Sequence, residues 1–283
     1  MKQYHNRHHS DFNVLSKTTH YGSSFFEFIP MEIMTKSPNL MRGAEPQFYK
    51  GNHIGCLVVH GFMASPAEVA WAGQYLAEQG YTVYVPRLTG HGINPEHMHR
   101  MTWQDWYAQV LDAYYILRQQ CELVVAIGHS MGGLLSLLLA SEHELDALVV
   151  CASPINLGEN NLGLRHANLV HYVMPFTDHP SEANLNAEII AEQKKRGEEI
   201  TSRVHYQKWA SKAVHQFYLL EKITQTILAQ VTTPVLLLYA EQDKTGSVEQ
   251  GEYISNVIRS SIIEKHILKE GGHIVFQDKG RNE

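Results

Sequence analysis

The sequence predicts an α/β protein in which a mostly parallel β-sheet is flanked by helices. From residue 54 onward, short apolar runs alternate with segments of helical periodicity, which is typical of strands joined by crossover helices. We interpret each run as continuously hydrophobic and therefore suited to burial on both faces of a sheet. Six strands are predicted, over residues 54–59, 81–86, 123–128, 147–151, 234–239 and 262–268.

Length and composition are those of a globular protein that needs no covalent or metal cross-link to fold. With 283 residues, 44% of them hydrophobic, the chain can bury a core without disulfides or metals. The formal net charge of −6 argues against a nucleic-acid partner. The longest apolar stretch, 134–140, is too short to span a bilayer, and the polar N-terminus lacks the apolar core of a secretory signal. We therefore expect a cytoplasmic protein without an integral membrane segment.

Cysteine and histidine usage gives no sign of a metal site or a cofactor. The cysteines form no CxxC pair and lie in or beside apolar runs, so we expect buried, reduced thiols at Cys56, Cys121 and Cys151. The histidine-rich start is interpreted as a mobile polar terminus and not as a metal site, although it contains His5, His8 and His9.

The chain divides into four segments by pattern. Residues 1–49 carry no strong periodicity and supply either leading strands of the sheet or a flexible arm. Residues 50–155 and 231–283 hold the two halves of the predicted sheet, and residues 156–230 break its rhythm and are interpreted as an inserted helical cap. Two helices are clear: an aromatic amphipathic one over 103–117 and an apolar one over 134–139.

The strongest chemical signal is the pentapeptide Gly128-His129-Ser130-Met131-Gly132, which lies between a predicted strand and a predicted helix. This is the context of a nucleophile elbow, where a sharp turn holds a serine in a strained conformation with its neighbours pressed close. Glycines flank the serine because side chains there would obstruct the turn. The pattern alone is modest evidence, and its position directly after a buried strand strengthens it. Ser130 is the predicted nucleophile.

A serine hydroxyl needs a general base, and that base needs an orienting acid. After such an elbow these partners follow in the order acid, then histidine, at the carboxyl ends of later strands. Asp243 follows the fifth predicted strand, and His273 follows the sixth, in the last loop of the chain. The residues after the fourth strand include no carboxylate, and Glu241 is the alternative acid. We predict Asp243 as the acid and His273 as the base.

Two backbone N–H groups are expected to stabilise the negative charge that develops on a substrate oxygen. One belongs to Met131, which follows the nucleophile, and the other to Phe62 in the loop after the first predicted strand. Substrate contact and core packing are equally good interpretations of these two side chains. The glycine-containing loop over 87–92 is interpreted as structural and not as catalytic.

Taken together, these motifs resemble bacterial carboxylesterases and monoacylglycerol lipases of the α/β-hydrolase superfamily. The resemblance runs from about Gln47 to Asp278 and rests on the loops at 60–62 and 86–92, the elbow at 128–132, Asp243 and His273. It implies an α/β-hydrolase fold with a cap after the sixth strand of the family's sheet, so that the six predicted strands are the third to the eighth. It also implies small-molecule ester substrates with an aliphatic acyl chain, including monoacylglycerols.

The sequence departs from the resemblance at three places. Lys244-Thr245-Gly246 follows the acid where relatives carry small apolar residues and proline, and the cap is the least matched segment. The chain also ends soon after His273, where relatives continue into a closing helix. We therefore expect residues 262–268 to be partly exposed and to favour self-association.

The leading hypothesis is a serine esterase that works through an acyl-enzyme. The same three residues could instead act on a thioester, on a carbon–carbon bond beside a carbonyl, or on a peptide with a free amino terminus, because one fold hosts many chemistries. A peptidase would present acids to the amine, and candidates in the cap are Glu182, Glu188, Glu192 and Glu198. A hydrolase-like binding protein that has lost catalysis is the non-enzymatic alternative.

Overall fold

A computed structural model describes residues 40–157, 162–178, 181–198, 206 and 208–282 of the chain. Strands in this part of the chain are β1 Gln47–Tyr49, β2 Ile54–Val59, β3 Thr82–Val85, β4 Leu123–His129, β5 Ala147–Cys151, β6 Phe176–Asp178, β7 Lys208–Ala210, β8 Val235–Ala240 and β9 Ile263–Leu268. Seven of them form one sheet in the order β1-β3-β2-β4-β5-β8-β9, and β6 and β7 form a separate antiparallel pair.

The main sheet is parallel apart from its first strand. β1 runs antiparallel to β3, with Gln47 opposite Val85, whereas every later pairing is parallel. All six predicted strands are present, and their ends agree with the prediction to within one residue. The mostly parallel sheet is therefore confirmed. Of the N-terminal segment over 1–49, residues 47–49 form β1, and residues 1–39 lie outside the described residues.

The prediction that every strand is apolar and buried on both faces is wrong for β9. This strand lies at the edge of the sheet and pairs with β8 alone, and its central residues Glu264, Lys265 and His266 are exposed. Ile262, directly before it, is 52% exposed, so the expected partial exposure of this stretch is observed. Charged side chains on an edge strand oppose pairing with another chain. The self-association expected from this stretch stays a prediction.

Helices connect and cover the strands. Their bounds are α1 Ala70–Glu78, α2 Pro95–Arg100, α3 Trp103–Arg118, α4 Met131–Glu142, α5 Leu162–Val173, α6 Ser181–Arg196, α7 Ser211–Ile227 and α8 Val248–Val257. The two helices that the sequence predicts correspond to α3 and α4. α3 begins at a capping box in which Thr102 and Asp105 bond each other's backbone N–H groups, and its buried face includes Trp106, Val110 and Leu117. α4 is buried almost all round, as its composition predicts.

The segment between β5 and β8 contains α5, α6, α7 and the β6–β7 pair. α7 packs against α4 and α2, and it also contacts α5. This segment therefore contacts the helix that follows Ser130, and its role as a cap stays a prediction.

The three cysteines are buried free thiols, as predicted. Burial raises the pKa of Cys56 to about 11 and raises that of Cys151 further. Among the described residues, no helix combines the length and apolar character that crossing a membrane requires.

Candidate active site

Ser130 occupies a sharp turn between β4 and α4. Its φ of 53° lies in the left-handed region that non-glycine residues rarely adopt, and its N–H donates to the carbonyl of Cys151 at 2.8 Å. A Cβ on Gly132 would collide with the carbonyl of Val59, so only glycine lets α4 begin this close to β2. The strained serine and the adjacent glycine match the predicted elbow.

His273 joins Ser130 to Asp243. Its Nε2 lies 2.9 Å from Ser130 Oγ, and its Nδ1 lies 2.8 Å from Asp243 Oδ2. Because a carboxylate only accepts hydrogen bonds, Nδ1 carries the donated hydrogen and Nε2 presents a lone pair to the serine hydroxyl. The three side chains that the sequence selects therefore form one continuous hydrogen-bonded chain, drawn from three loops that are distant in sequence.

Asp243 is held as a carboxylate. Burial alone would raise its pKa, but the hydrogen bond and charge of His273 outweigh burial, together with the N–H groups of Thr245 and Gly246 that donate to Oδ1, and the pKa lies below its ordinary value. Thr245 and Gly246 belong to the triplet that departs from the family pattern, and both support the carboxylate. Glu241, the alternative acid, is exposed.

The loop after β2 lies directly against the serine. A Cβ built on Gly61 would lie 3.2 Å from the Cβ of Ser130, so Phe62 follows a residue in contact with the nucleophile. Met131 is the first residue of α4, and the leading N–H groups of a helix have no partner within it. The loop that carries Phe62 and the start of α4 therefore both lie next to Ser130, and the assignment of the two N–H groups as oxyanion donors stays a prediction.

The loop over 87–92 packs against the Phe62 loop through a hydrogen bond and a ring contact. Leu88 N–H donates to Nε2 of His60 at 3.2 Å, and Nδ1 of His60 faces the Gly61 carbonyl at 2.9 Å. Burial lowers the pKa of His60 to about 4, so its ring is neutral at neutral pH. The ring of His91 packs edge-on against Phe62. These contacts agree with a structural role for the loop.

An aromatic wall extends from Phe62 into the segment between β5 and β8. The ring centroid of Phe62 lies 5.7 Å from Trp106, 6.4 Å from Trp209 on β7 and 5.3 Å from Phe217 on α7. Leu157 and Val214 pack into the same cluster. The surroundings of Phe62 are therefore apolar, and they are supplied partly by elements that lie outside the motifs.

Two buried polar residues beside the site were not selected from the sequence. Glu68 follows the Phe62 loop and His129 precedes Ser130; both are almost completely buried, and His129 Nδ1 lies 3.0 Å from Glu68 Oε2. His129 is part of the pentapeptide around Ser130, so the sequence pattern locates it next to the nucleophile. No sequence motif indicates a role for Glu68. In the part of the chain described, no cluster of three or more His, Cys, Asp or Glu side chains could hold a metal ion.

Comparison with known proteins agrees with the fold and the motifs. A family model described as serine aminopeptidase, S33, matches residues 52–280. A carboxylesterase of Bacillus subtilis (strain 168) is 24% identical over 84% of this chain and 92% of its own length. A thermostable monoacylglycerol lipase of Bacillus sp. (strain H-257) is 41% identical over 110 residues, and that match spans 39% of this chain and only 44% of the lipase.

Solved structures agree. One of the metagenome-derived lipolytic enzymes LipS and LipT is 26% identical, with a TM-score of 0.77 over 86% of this chain and 95% of that one. A monoacylglycerol lipase of Paleococcus ferrophilus, at 14% identity, shares the fold with a TM-score of 0.66 over 84% of this chain and 94% of that one. The α/β-hydrolase fold and the family resemblance are confirmed: the chain belongs to the S33 serine hydrolase family of α/β-hydrolases.

Proposed function

We propose that this protein hydrolyses carboxylic esters through an acyl-enzyme, with Ser130 as nucleophile, His273 as general base and Asp243 as the orienting acid. The observation that carries the proposal is the hydrogen-bonded chain from Ser130 Oγ through both ring nitrogens of His273 to the buried carboxylate of Asp243. Chemistry of this kind requires no metal or organic cofactor.

In the first step, Ser130 Oγ attacks the acyl carbon while His273 Nε2 removes the hydroxyl proton. The carbonyl oxygen becomes negatively charged, and the N–H groups of Phe62 and Met131 donate hydrogen bonds to it. Asp243 stabilises the imidazolium that forms. The imidazolium then protonates the leaving alcohol, the C–O bond breaks, and the acyl group remains on Ser130.

In the second step, a water molecule replaces the alcohol. His273 takes a proton from the water, the resulting hydroxide attacks the acyl carbon, and the same two N–H groups stabilise the second tetrahedral intermediate. The carboxylic acid is released when His273 returns the proton to Ser130 Oγ.

The substrates we propose are esters with an aliphatic acyl chain, monoacylglycerols among them. The aromatic wall around Phe62 adjoins the predicted oxyanion donors, so an acyl chain leaving the reacting carbon would find apolar rings at Trp209 and Phe217. The relatives that bear lipase and carboxylesterase names support the same class.

The family description makes an aminopeptidase the main alternative. A substrate amine would need an acid that is not already engaged. Glu192 pairs with Arg196 at 3.6 Å, Glu198 pairs with Arg196 and Arg281, and Glu188 is exposed. The side chain of Glu182 lies outside the described residues. These pairings favour esters over peptides with a free amino terminus.

The test compares several substrate series with wild type and Ser130→Ala. Nitrophenyl esters of increasing acyl length, monoacylglycerols and aminoacyl amides separate esterase, lipase and aminopeptidase activity, and acyl thioesters complete the set. We expect turnover of esters that is lost in Ser130→Ala, and covalent labelling of Ser130 by a fluorophosphonate. Labelling that persists in Ser130→Ala would reject the assignment, and turnover of aminoacyl amides alone would support the peptidase.

We also propose a cytoplasmic location. Three buried free thiols are typical of a protein that folds in a reducing compartment. Fractionation of the source cells, with activity followed in each fraction, tests this.

A further inference from the structure

The Glu68–His129 pair links two loops of the proposed site. Glu68 Oε2 accepts the N–H of Gly61 at 2.7 Å and lies 3.0 Å from His129 Nδ1. His129 Nε2 lies 2.7 Å from the backbone carbonyl of His273. A single chain of hydrogen bonds therefore runs from the Phe62 loop, through the residue before the nucleophile, to the loop that carries the proposed general base.

The chemistry of these contacts fixes the number of protons. A carbonyl oxygen only accepts, so His129 Nε2 carries a hydrogen that it donates to His273. Glu68 Oε2 accepts from Gly61 and shares a second hydrogen with Nδ1. That hydrogen is carried either by the ring, which gives an ion pair, or by the carboxyl oxygen, because a hydroxyl oxygen donates and accepts at once; each contact is satisfied in both cases.

A buried pair of polar groups of this kind is a poor way to gain stability. Both side chains are at most 2% exposed, and removing two polar or charged groups from water costs about as much as their mutual attraction returns. Apolar residues of similar volume would hold the same space at least as well. The pair does offer directional contacts to two loops at once, which apolar residues cannot make.

Each contact lies at or next to a proposed reacting group. Gly61 precedes the oxyanion donor Phe62, His129 precedes Ser130, and the carbonyl that His129 binds belongs to His273 itself. A shift of either loop would therefore change the distance from His273 Nε2 to Ser130 Oγ, or the aim of the Phe62 N–H.

We propose that Glu68 and His129 are positioning residues that hold the Phe62 loop and the loop of His273 in place around Ser130. The inference rests on the proposed function of Ser130 and His273. Neither residue touches the substrate in this scheme. The His129 ring bridges the His273 carbonyl and Glu68, and the carboxyl group of Glu68 holds Gly61 at the same time.

Glu68→Gln tests the carboxyl group with little change in volume. With a neutral His129 ring, an amide oxygen can accept from Gly61 and Nδ1 only if Nε2 has no hydrogen for His273, and an amide nitrogen cannot accept from Gly61, so one of the three contacts is lost. We expect kcat for a nitrophenyl ester to fall on the order of 10²-fold, the loss that a misplaced catalytic group produces, while KM stays within about two-fold.

His129→Gln and the double variant complete a cycle. If the pair acts as a unit, either single change breaks the link, and the double variant loses no more than the single variants do. Losses that multiply in the double variant would mean that the two residues act separately, and this would overturn the proposal.

The hydrogen on His129 Nε2 has its own readout in the wild-type protein. In NMR of protein labelled with ¹⁵N-histidine at pH 7, Nε2 of His129 is expected to carry a hydrogen that exchanges slowly with water, because it is buried and donated to the His273 carbonyl. A wild-type His129 whose Nε2 carries no hydrogen would overturn the link to His273 even if the variants failed to fold.

Two controls separate the possible failures. Tyr114→Phe removes a part-buried hydrogen bond from α3 to the Glu144 carbonyl in the loop after α4, and it should leave kcat unchanged. Ser130→Ala tests the proposed function itself. If Ser130→Ala is inactive while folded Glu68→Gln keeps wild-type kcat, the positioning role is wrong and the esterase mechanism stands. If Ser130→Ala stays active, the proposed function fails first.

Discussion

Asp243 Oδ2 lies 2.8 Å from His273 Nδ1, and the other oxygen of the same carboxylate accepts two backbone N–H groups. The carboxylate is therefore fixed from both sides before it meets the imidazole. Such an acid selects the tautomer in which His273 Nε2 faces the Ser130 hydroxyl as an acceptor. The loop that follows β8 thus orients the His273 ring through Asp243.

Asp243→Asn should reduce kcat by about 10⁴-fold for a nitrophenyl ester. The amide can donate to His273 Nδ1, which favours the tautomer whose Nε2 carries a hydrogen and cannot accept the serine proton. KM should change little, because Asp243 touches no substrate in the proposed mechanism. Steady-state kinetics of the purified variant measures both values.

The matched control for Asp243→Asn is Glu241→Gln, which changes an exposed carboxylate in the same loop. We expect activity within about two-fold of wild type, as for a surface substitution away from the site. A comparable collapse in Glu241→Gln would show that the acid has been assigned to the wrong residue.

The sequence located Ser130, Asp243 and His273 because each follows a strand of a parallel sheet. The carboxyl ends of such strands lie on one edge, so order along the chain translates into proximity in space. Local backbone chemistry supplied the rest, since a strained serine between glycines has a recognisable pattern. Few other residues that follow a strand at this edge of the sheet could serve as the acid or the base.

Other features depend on tertiary contacts that no local pattern encodes. Glu68 is an acidic residue in a short turn, which normally indicates an exposed side chain, yet it is buried and bonded to Gly61 and His129. Helical periodicity shows that α7 has an apolar face but not that Phe217 packs against Phe62. The exposure of β9 follows from its position at the sheet edge. The position of a strand within a sheet cannot be inferred from the sequence of that strand alone.

Stability should fall as the pH drops from about 6.5 to about 4, partly because of His60. Burial lowers the folded-state pKa of His60 to about 4, whereas an unfolded histidine titrates near 6.5. Within this window the unfolded chain binds a proton that the folded protein does not, so the free energy of unfolding decreases by about 3 kcal/mol. Below pH 4 both states are protonated, and His60 contributes no further slope.

Urea unfolding at several pH values between 4 and 7 measures this loss, and His60→Gln provides the comparison because it removes the titrating ring. The variant should be less stable than wild type at pH 7 but should show a shallower pH dependence. Since His91 is also buried with a lowered pKa, some slope will remain. Parallel curves for wild type and His60→Gln would contradict the assignment of the slope to His60.

Phe217→Leu should change acyl-chain preference more than it changes turnover. The ring of Phe217 lies 5.3 Å from that of Phe62, and its loss opens the apolar wall where we propose that acyl chains lie. We expect kcat/KM for an octanoyl ester to fall about 10-fold, corresponding to about 1–2 kcal/mol of lost apolar contact, with little change for the acetyl ester. Tyr253→Leu, at a partly exposed aromatic on α8, is the control and should leave the ratio of the two esters unchanged.

Gly132→Ala should destabilise the protein and abolish ester hydrolysis. The added Cβ would meet the backbone carbonyl of Val59, which belongs to the central sheet and cannot move aside as a side chain could. α4 must therefore shift, and Met131 and Ser130 shift with it. We expect the free energy of unfolding, measured with urea, to fall on the order of 3 kcal/mol, the upper range for overpacking.

Gly80→Ala is the matched control, because nothing lies within 4 Å of its added Cβ and only its positive φ opposes the change. That variant should lose about 1 kcal/mol and keep full activity. Equal losses in the two variants would mean that conformational strain, and not the contact with Val59, explains the glycine at position 132.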